Sequence, residues 1–388
     1  MLIITAPGQG AQTPGFLAPW LELPGVTERL DSWSELAKCD LIAAGTTADA
    51  DRIRDTAVAQ PLLVAAGLAA AAALDDGDPS KLPADATAGH SVGELTAGVI
   101  AGVIDADDAM RLVGVRGAAM AAATELTPTG MIAVLGGDEQ DVLTALARHG
   151  LTPANINAAG QIVAAGTLDQ LAAFKADAPP RTRLRPLEVA GAFHTVHMAP
   201  AVAALGEAAR GVTVRNPVTK LLSNADGSAV GTGPEWLRRI IAQVAAPVRW
   251  DACLATMKEL GVTAIIELPP AGTLTGIAKR ALPGVELLAV KTPDQIDAAR
   301  ELIAAHLTES SHAHPLDWQL IVAPTSGTFR ASADGPGSED FGAVVARGGE
   351  HAVSVPWPAE IIEWLVEDGD PVSEGQPLLR VQSAGEVA

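Results

Sequence analysis

A chain of 388 residues with 48% hydrophobic side chains can bury a sizeable core and divide into two or three folded units. Its formal charge of −20, from 46 acidic against 26 basic side chains, disfavours nucleic acid and anionic membrane as partners, since both are bound through basic surface. Cys39 and Cys253 stand in no metal-ligand or redox spacing, which suits a reducing compartment and buried spectator thiols.

The first apolar run, Leu2-Ile3-Ile4, has no basic segment ahead of it and reads as a strand rather than a signal peptide. The Ala-rich run over 64–74 is interrupted and too short to span a bilayer, so a cytoplasmic location is expected. Further β-branched runs at Met131-Ile132-Ala133-Val134-Leu135, Ile162-Val163-Ala164-Ala165 and Thr263-Ala264-Ile265-Ile266-Glu267 alternate with Ala-rich helical segments, the pattern of a parallel α/β sheet. Residues 130–189 depart from it. They read as a strand, a turn at Gly136-Gly137, a helix over 138–150, a strand pair over 153–166, a helix over 168–175 and a last run over 181–189. That order predicts a small ferredoxin-like unit inserted in the larger domain.

The tail changes again. Thr308-Glu309-Ser310-Ser311-His312-Ala313-His314-Pro315 reads as a polar linker, and beyond it Pro and Gly recur between β-type runs. No Lys follows Lys291, and residues 310–388 hold 12 acidic and 3 basic side chains, which marks a separate, acidic, all-β unit.

Chemistry concentrates in Gly89-His90-Ser91-Val92-Gly93. A Ser in G-x-S-x-G suits a sharp strand-to-helix turn that exposes its hydroxyl; the same letters also suit a glycine-rich start to a helix. The helix after it is well specified, whereas Asp85-Ala86-Thr87-Ala88 has little strand propensity. A serine needs a base. Of the eight histidines, His194 in Gly191-Ala192-Phe193-His194-Thr195 is best placed, because it ends a β-type run and could reach the same sheet edge; on spacing alone an ordinary core or surface histidine fits equally. His197, one helical turn on, fits packing. Acyl transfer would also need two N–H donors for an oxyanion, available from Val92 and from the turn Pro7-Gly8-Gln9-Gly10-Ala11-Gln12. That turn lacks the endings of a P-loop or a dinucleotide fingerprint, which argues against nucleotide binding.

These runs, with Asp55-Thr56-Ala57-Val58-Ala59-Gln60-Pro61-Leu62, Arg116-Gly117, Leu222-Ser223-Asn224-Ala225-Asp226-Gly227 and Pro247-Val248-Arg249-Trp250, resemble the malonyl-CoA:acyl carrier protein transacylase family of the actinobacterial type over residues 1 to about 305. The resemblance implies a hydrolase-like α/β acyltransferase core over 1–129 and 190–305 with the insert at 130–189. It implies ping-pong transfer of malonyl from coenzyme A to the phosphopantetheine thiol of acyl carrier protein, for fatty acid or polyketide synthesis. Ser91 would be the nucleophile, His194 the base, Gln9 and Val92 the oxyanion hole, and Arg116 the ligand of the malonyl carboxylate, a task that suits a planar guanidinium. Gln60, His90 and Phe193 would line the pocket. In this family backbone carbonyls orient the base, and the regions of Asn224 and Gln243 are where they are expected. Phe193 and Val92 resemble the malonyl-selective pattern; relatives selective for methylmalonyl tend to carry a smaller residue and Gln there.

Carrier proteins of such enzymes are usually acidic, so an enzyme of charge −20 needs clustered basic residues to dock one. Arg181, Arg183 and Arg185 alternate and would share a strand face, and Lys279-Arg280 follows a predicted helix start; a solvated basic face explains them as well. After a linker at 306–317, residues 318–383 resemble biotinyl/lipoyl carrier domains, flattened barrels of two four-stranded halves. The matching runs are Ile321-Val322-Ala323-Pro324-Thr325-Ser326-Gly327-Thr328-Phe329-Arg330 and Ile362-Glu363-Trp364-Leu365-Val366-Glu367-Asp368-Gly369-Asp370-Pro371-Val372-Ser373-Glu374-Gly375-Gln376-Pro377-Leu378-Leu379. Residues 344–358, where the modifiable lysine would stand, contain Arg347 and no lysine. Amide attachment needs that amine, so neither biotin nor lipoate is expected, nor any metal or other cofactor. A structural appendage, a docking module for another synthase or carboxylase component, and a decayed domain stay open for this tail.

Overall fold

The computed structural model describes residues 1–75, 77–312, 318–332 and 338–383, which divide into two compact units, Met1–Leu307 and Thr308–Ala388. The strands of the first unit are, in chain order, β1 (Leu2–Ala6), β2 (Ala86–Gly89), β3 (Thr129–Gly136), β4 (Thr152–Ala158), β5 (Gln161–Thr167), β6 (Thr182–Pro186), β7 (Lys220–Leu222), β8 (Val248–Arg249), β9 (Ala264–Glu267) and β10 (Glu286–Ala289).

Five of them form a parallel sheet in the order β10-β9-β1-β2-β7. β1 is buried at every residue, as a central parallel strand covered on both faces should be. The weakly specified segment before Ser91 is strand β2, paired with β1 from Ile3↔Ala86 to Ala6↔Gly89. Alanine is a poor strand former, but here its small side chains lie wholly buried under the helices, so packing overrides propensity. Because β1 and β2 are parallel neighbours, the loops after them leave the same edge of the sheet. That places the turn at Gly8 and Gln9 beside Ser91.

The helix Thr56–Leu74 carries Asp55 as its N-cap, the carboxylate accepting from the Ala57 amide. At 19 residues it is long and apolar enough to cross a membrane, longer than the apolar run read from sequence, yet 89% of it is buried inside the unit. It packs against the helix Ala106–Thr124 at Gly117, where a Cβ would come within 2.8 Å of the Thr56 carbonyl oxygen. This close crossing lays Arg116 beside Gln60. On the opposite flank, the buried Glu267 at the end of β9 accepts from the amides of Gly272, Leu274 and Thr275, fixing the start of the helix Thr273–Ala281.

The insert supplies a second, mostly antiparallel sheet in the order β6-β3-β5-β4-β8, with β8 returning from the larger part to pair with β4. Helices Glu139–Arg148 and Leu168–Ala176 pack on it around Ile132, Val134, Leu146 and the fully buried Phe174.

One expectation differs from what is found at the unit's end. The helix Ile296–His312 runs through the first part of the segment read as a linker, while 313–317 lie outside the described residues. The second unit is antiparallel: β11 (Trp318–Val322), β12 (Gly327–Ala331), β13 (Ser338–Ala346), β14 (Gly349–Trp364), β15 (Pro371–Val372) and β16 (Pro377–Ser383), ordered β11-β16-β14-β13-β12-β15 about a core that includes Phe329, Phe341 and Leu379. Arg347 and Gly348 form the tip of the β13–β14 hairpin, closed by the pair Ala346↔Gly349.

Phe174→Ala should destabilise the first unit by about 3–5 kcal/mol, the usual cost of emptying a buried phenylalanine site. Denaturant unfolding followed by tryptophan fluorescence reads that change.

Candidate active site

Between β2 and the helix Gly93–Ile100 the chain reverses within three residues. A Cβ on Gly89 would lie 2.0 Å from the Gly93 carbonyl carbon, and one on Gly93 would lie 2.2 Å from the Ala6 carbonyl oxygen. Only glycine fits at either position. Ser91, at the apex, is held in the left-handed region at φ 52°, a conformation that costs energy in a non-glycine residue and is sustained by its surroundings. The Asn224 side chain supplies part of that support: its Oδ1 accepts from the Ser91 amide at 2.7 Å and its Nδ2 donates to the Gly89 carbonyl at 2.7 Å.

The Ser91 hydroxyl lies 2.7 Å from His194 Nε2. On the far side of the ring, Nδ1 faces the Gln243 carbonyl oxygen at 2.7 Å. A carbonyl can only accept, so Nδ1 carries the proton and Nε2 offers a lone pair to the serine hydroxyl. Burial, reinforced by the charge of Arg116, pushes the imidazole down to about 3, which keeps it neutral across the physiological range. His194 itself sits on a loop at φ 61°, ahead of the short helix Val196–Met198, and not at the end of a strand: β6 stops at Pro186. The apolar letters before it serve burial instead.

Arg116 is fully buried. Its Nη1 donates to Gln60 Oε1 at 2.6 Å; Nη2 donates to Gln243 Oε1 at 2.9 Å and to Ser91 Oγ at 3.3 Å. This buried cation thus reaches the hydroxyl that faces His194 Nε2, a place suited to an acyl group bearing its own negative charge. Glu94, in the first turn after Ser91, is also buried and is pushed up to about 7, chiefly by desolvation. Sequence reading gave it no role. An acidic residue amid the apolar run that follows the serine was the available signal.

The sequence-derived residues otherwise divide by position. Gln9, Gln60, His90, Val92 and Phe193 line one cavity of about 250 Å³ with Ser91 and His194. Val92 is the N-cap of the helix Gly93–Ile100, where amides lack intrahelical acceptors, so its N–H can serve an oxyanion. The Gln9 side chain is committed elsewhere, donating to the Arg54 carbonyl at 3.0 Å, which leaves its main-chain amide as the useful group. His90 is anchored by Asn157 Oδ1 at 2.9 Å and packs edge-on to Trp250, two partners the sequence did not reveal. Asn224 differs from expectation: its carbonyl is taken by the Arg249 amide, so the carbonyl facing His194 is that of Gln243, and the Asn224 side chain holds the Ser91 amide.

Through Gln161 this cavity adjoins an open cleft of about 780 Å³ lined by Arg183, Lys258 and Arg280. Arg181 precedes β6 at φ 62° and so lies outside the strand that carries Arg183 and Arg185; the three do not form one face. Lys279 is exposed next to Arg280 but does not line the cleft. Among the described residues no group of three His, Cys, Asp or Glu side chains is gathered for a metal.

Residues 7–309 match the model of a family described as acyl transferase domain. The malonyl CoA-acyl carrier protein transacylase of Mycobacterium tuberculosis is 51% identical over 302 residues, covering 78% of this chain and all of the relative. The chain belongs to the malonyl-CoA:acyl carrier protein transacylase family. A crystal structure of MCAT from Mycobacterium tuberculosis superposes with a TM-score of 0.74 at 52% identity over 77% of this chain and 99% of that one. A type II PKS acyl-carrier protein in complex with its malonyl-transacylase also matches, at 29% identity and a TM-score of 0.71, over 78% and 99% of the two chains. Family membership accounts for the first unit and its α/β core; the acidic second unit lies beyond the matched residues.

Because burial depresses His194 to about 3, the neutral imidazole, the form able to accept a proton from Ser91, persists as pH falls. Acylation of Ser91 by an uncharged thioester should therefore keep its rate well below pH 6.5 and decline only toward pH 3, as read from rapid-quench pH profiles.

Proposed function

We propose that this chain carries malonyl from coenzyme A to the phosphopantetheine thiol of an acyl carrier protein through a malonyl ester on Ser91. The observation that carries this is the pair of contacts on one oxygen: Ser91 Oγ has His194 Nε2 at 2.7 Å and Arg116 Nη2 at 3.3 Å. In the first half, His194 Nε2 takes the hydroxyl proton as Oγ attacks the thioester carbonyl. The resulting oxyanion is held by the Val92 and Gln9 amides, the C–S bond breaks, and His194 returns the proton to the departing thiolate. In the second half the carrier thiol gives its proton to His194 and attacks the ester, and Oγ leaves with that proton. Arg116 binds the malonyl carboxylate throughout, and no metal, biotin or lipoate takes part. The pathway is fatty acid or polyketide synthesis in the cytoplasm.

The reading extends to the insert and the tail. The order β6-β3-β5-β4 with two helices on one sheet supports a ferredoxin-like insert. The cleft residues Arg183 and Arg280, with Lys279 and Arg181 near them, are where the acidic carrier protein docks. For the second unit, the antiparallel strands, the hairpin ending in Arg347 and Gly348, and the turn at Glu367 to Asp370 support a biotinyl/lipoyl-like module. Without a lysine at its tip it serves as a docking or structural appendage, with another synthase or carboxylase component as its partner.

Incubation with labelled malonyl-CoA should give a stable adduct on Ser91 that chases onto added carrier protein; release of free malonate instead would make the chain a hydrolase. Arg116→Ala should lower malonyl acylation on the order of a hundredfold and leave or improve acetyl acylation, since only the charged acyl group loses a partner. In a separate assay Arg280→Glu should raise the KM for carrier protein roughly tenfold and flatten its salt dependence. An unchanged KM would assign this basic cleft to solvation alone.

A further inference from the structure

Glu94 has no part in the transfer steps, yet it is buried against the groups that perform them. Its Oε2 accepts from Gln243 Nε2 at 2.7 Å and from the Asn224 amide at 3.2 Å, while Oε1 is buried with no hydrogen-bond partner. The Glu94 Oε2 faces two N–H donors and so accepts, and a guanidinium can only donate, so between them they fix the sense of the Gln243 amide. Nε2 is held by Glu94 and by Asn224 Oδ1 at 3.2 Å, and Oε1 is thereby turned to Arg116 Nη2 at 2.9 Å. With the amide reversed, N–H would face N–H and the guanidinium would be displaced from Ser91.

We infer that Glu94 is a positioning residue for the charged acyl group: through the Gln243 side chain it holds the Arg116 guanidinium where that group meets the substrate carboxylate beside Ser91. The inference rests on the assignment of Arg116 as the carboxylate ligand. Desolvation pushes Glu94 up to about 7 and pulls Arg116 down to about 10, and each charge opposes the other's shift, as two neighbouring buried groups of opposite sign do. Gln243 thereby has two separable parts. Its main-chain carbonyl orients His194, and its side chain relays Glu94 to Arg116.

The test is the ratio of second-order rate constants for acylation of Ser91 by malonyl-CoA and by acetyl-CoA, in the full chain and in the variants Q243L, E94Q, the double variant and R116A. Leucine at 243 keeps the carbonyl and removes the relay; glutamine at 94 keeps the shape and removes the charge. Each single variant should lower the malonyl-to-acetyl ratio about tenfold, the weight of one charge-assisted hydrogen bond, and the double variant no further than either alone. A general loss of folded protein lowers both rates together and leaves the ratio in place. If E94Q does not fold, E94D, which draws the carboxylate back by one methylene, is measured with the same expected fall. An unchanged ratio in Q243L or at position 94, or effects that multiply in the double variant, overturns the relay. An unchanged ratio in R116A instead overturns the assignment of Arg116, so the two failures are distinct.

Discussion

The chain passes so close to itself at Gly89, Gly93 and Ala6 that no β-carbon fits at either glycine, and the rest of the site depends on that contact. It fixes how β2 meets the following helix, and hence where the apex between them stands. The strained backbone of Ser91 is a consequence, as is the place of Val92 in the wall of the same cavity. Neighbouring parallel strands do the rest, since the loop after β1 must leave the sheet beside the loop after β2.

Around this turn the protein keeps the buried Arg116 cation, the buried Glu94 carboxyl and two histidines, His90 and His194, that burial pushes toward the neutral form. Such a set is costly to desolvate, and it is sustained by amides. Gln60, Gln243 and Asn224 each satisfy a charged or strained group without adding charge of their own. Amides also explain why no acidic third member completes a triad: the position behind His194 is filled by a main-chain carbonyl.

Much of this was legible in the sequence, for identifiable reasons. G-x-S-x-G reports steric need, and steric need is local. The alternation of strands and helices over 130–189 is likewise local, so the insert's elements were readable to within a few residues. What could not be read depends on approach between distant segments. Strand β2 is made by its neighbours and not by its letters. The setting of His194, the division of roles between Asn224 and Gln243, and the partners of His90 all join residues more than 40 positions apart. Arg181 was misplaced because alternation in sequence says nothing of where a strand begins. The end of the helix Ile296–His312 is hidden for a related reason, polar letters being as compatible with the last turns of a helix as with a linker.

The carbonyl behind His194 has a further consequence. A carboxylate there would stabilise the imidazolium and bias the site toward the protonated base. A neutral dipole favours it less, so in the proposed transfer a proton taken from one nucleophile is readily surrendered to the next leaving group. With a thioester on each side of an oxyester, such a site works as a freely reversible exchanger. The direction of flow is then set by the relative abundance of the two thiols and by whatever consumes the loaded carrier, and the protein itself acts as a valve without a preferred sense.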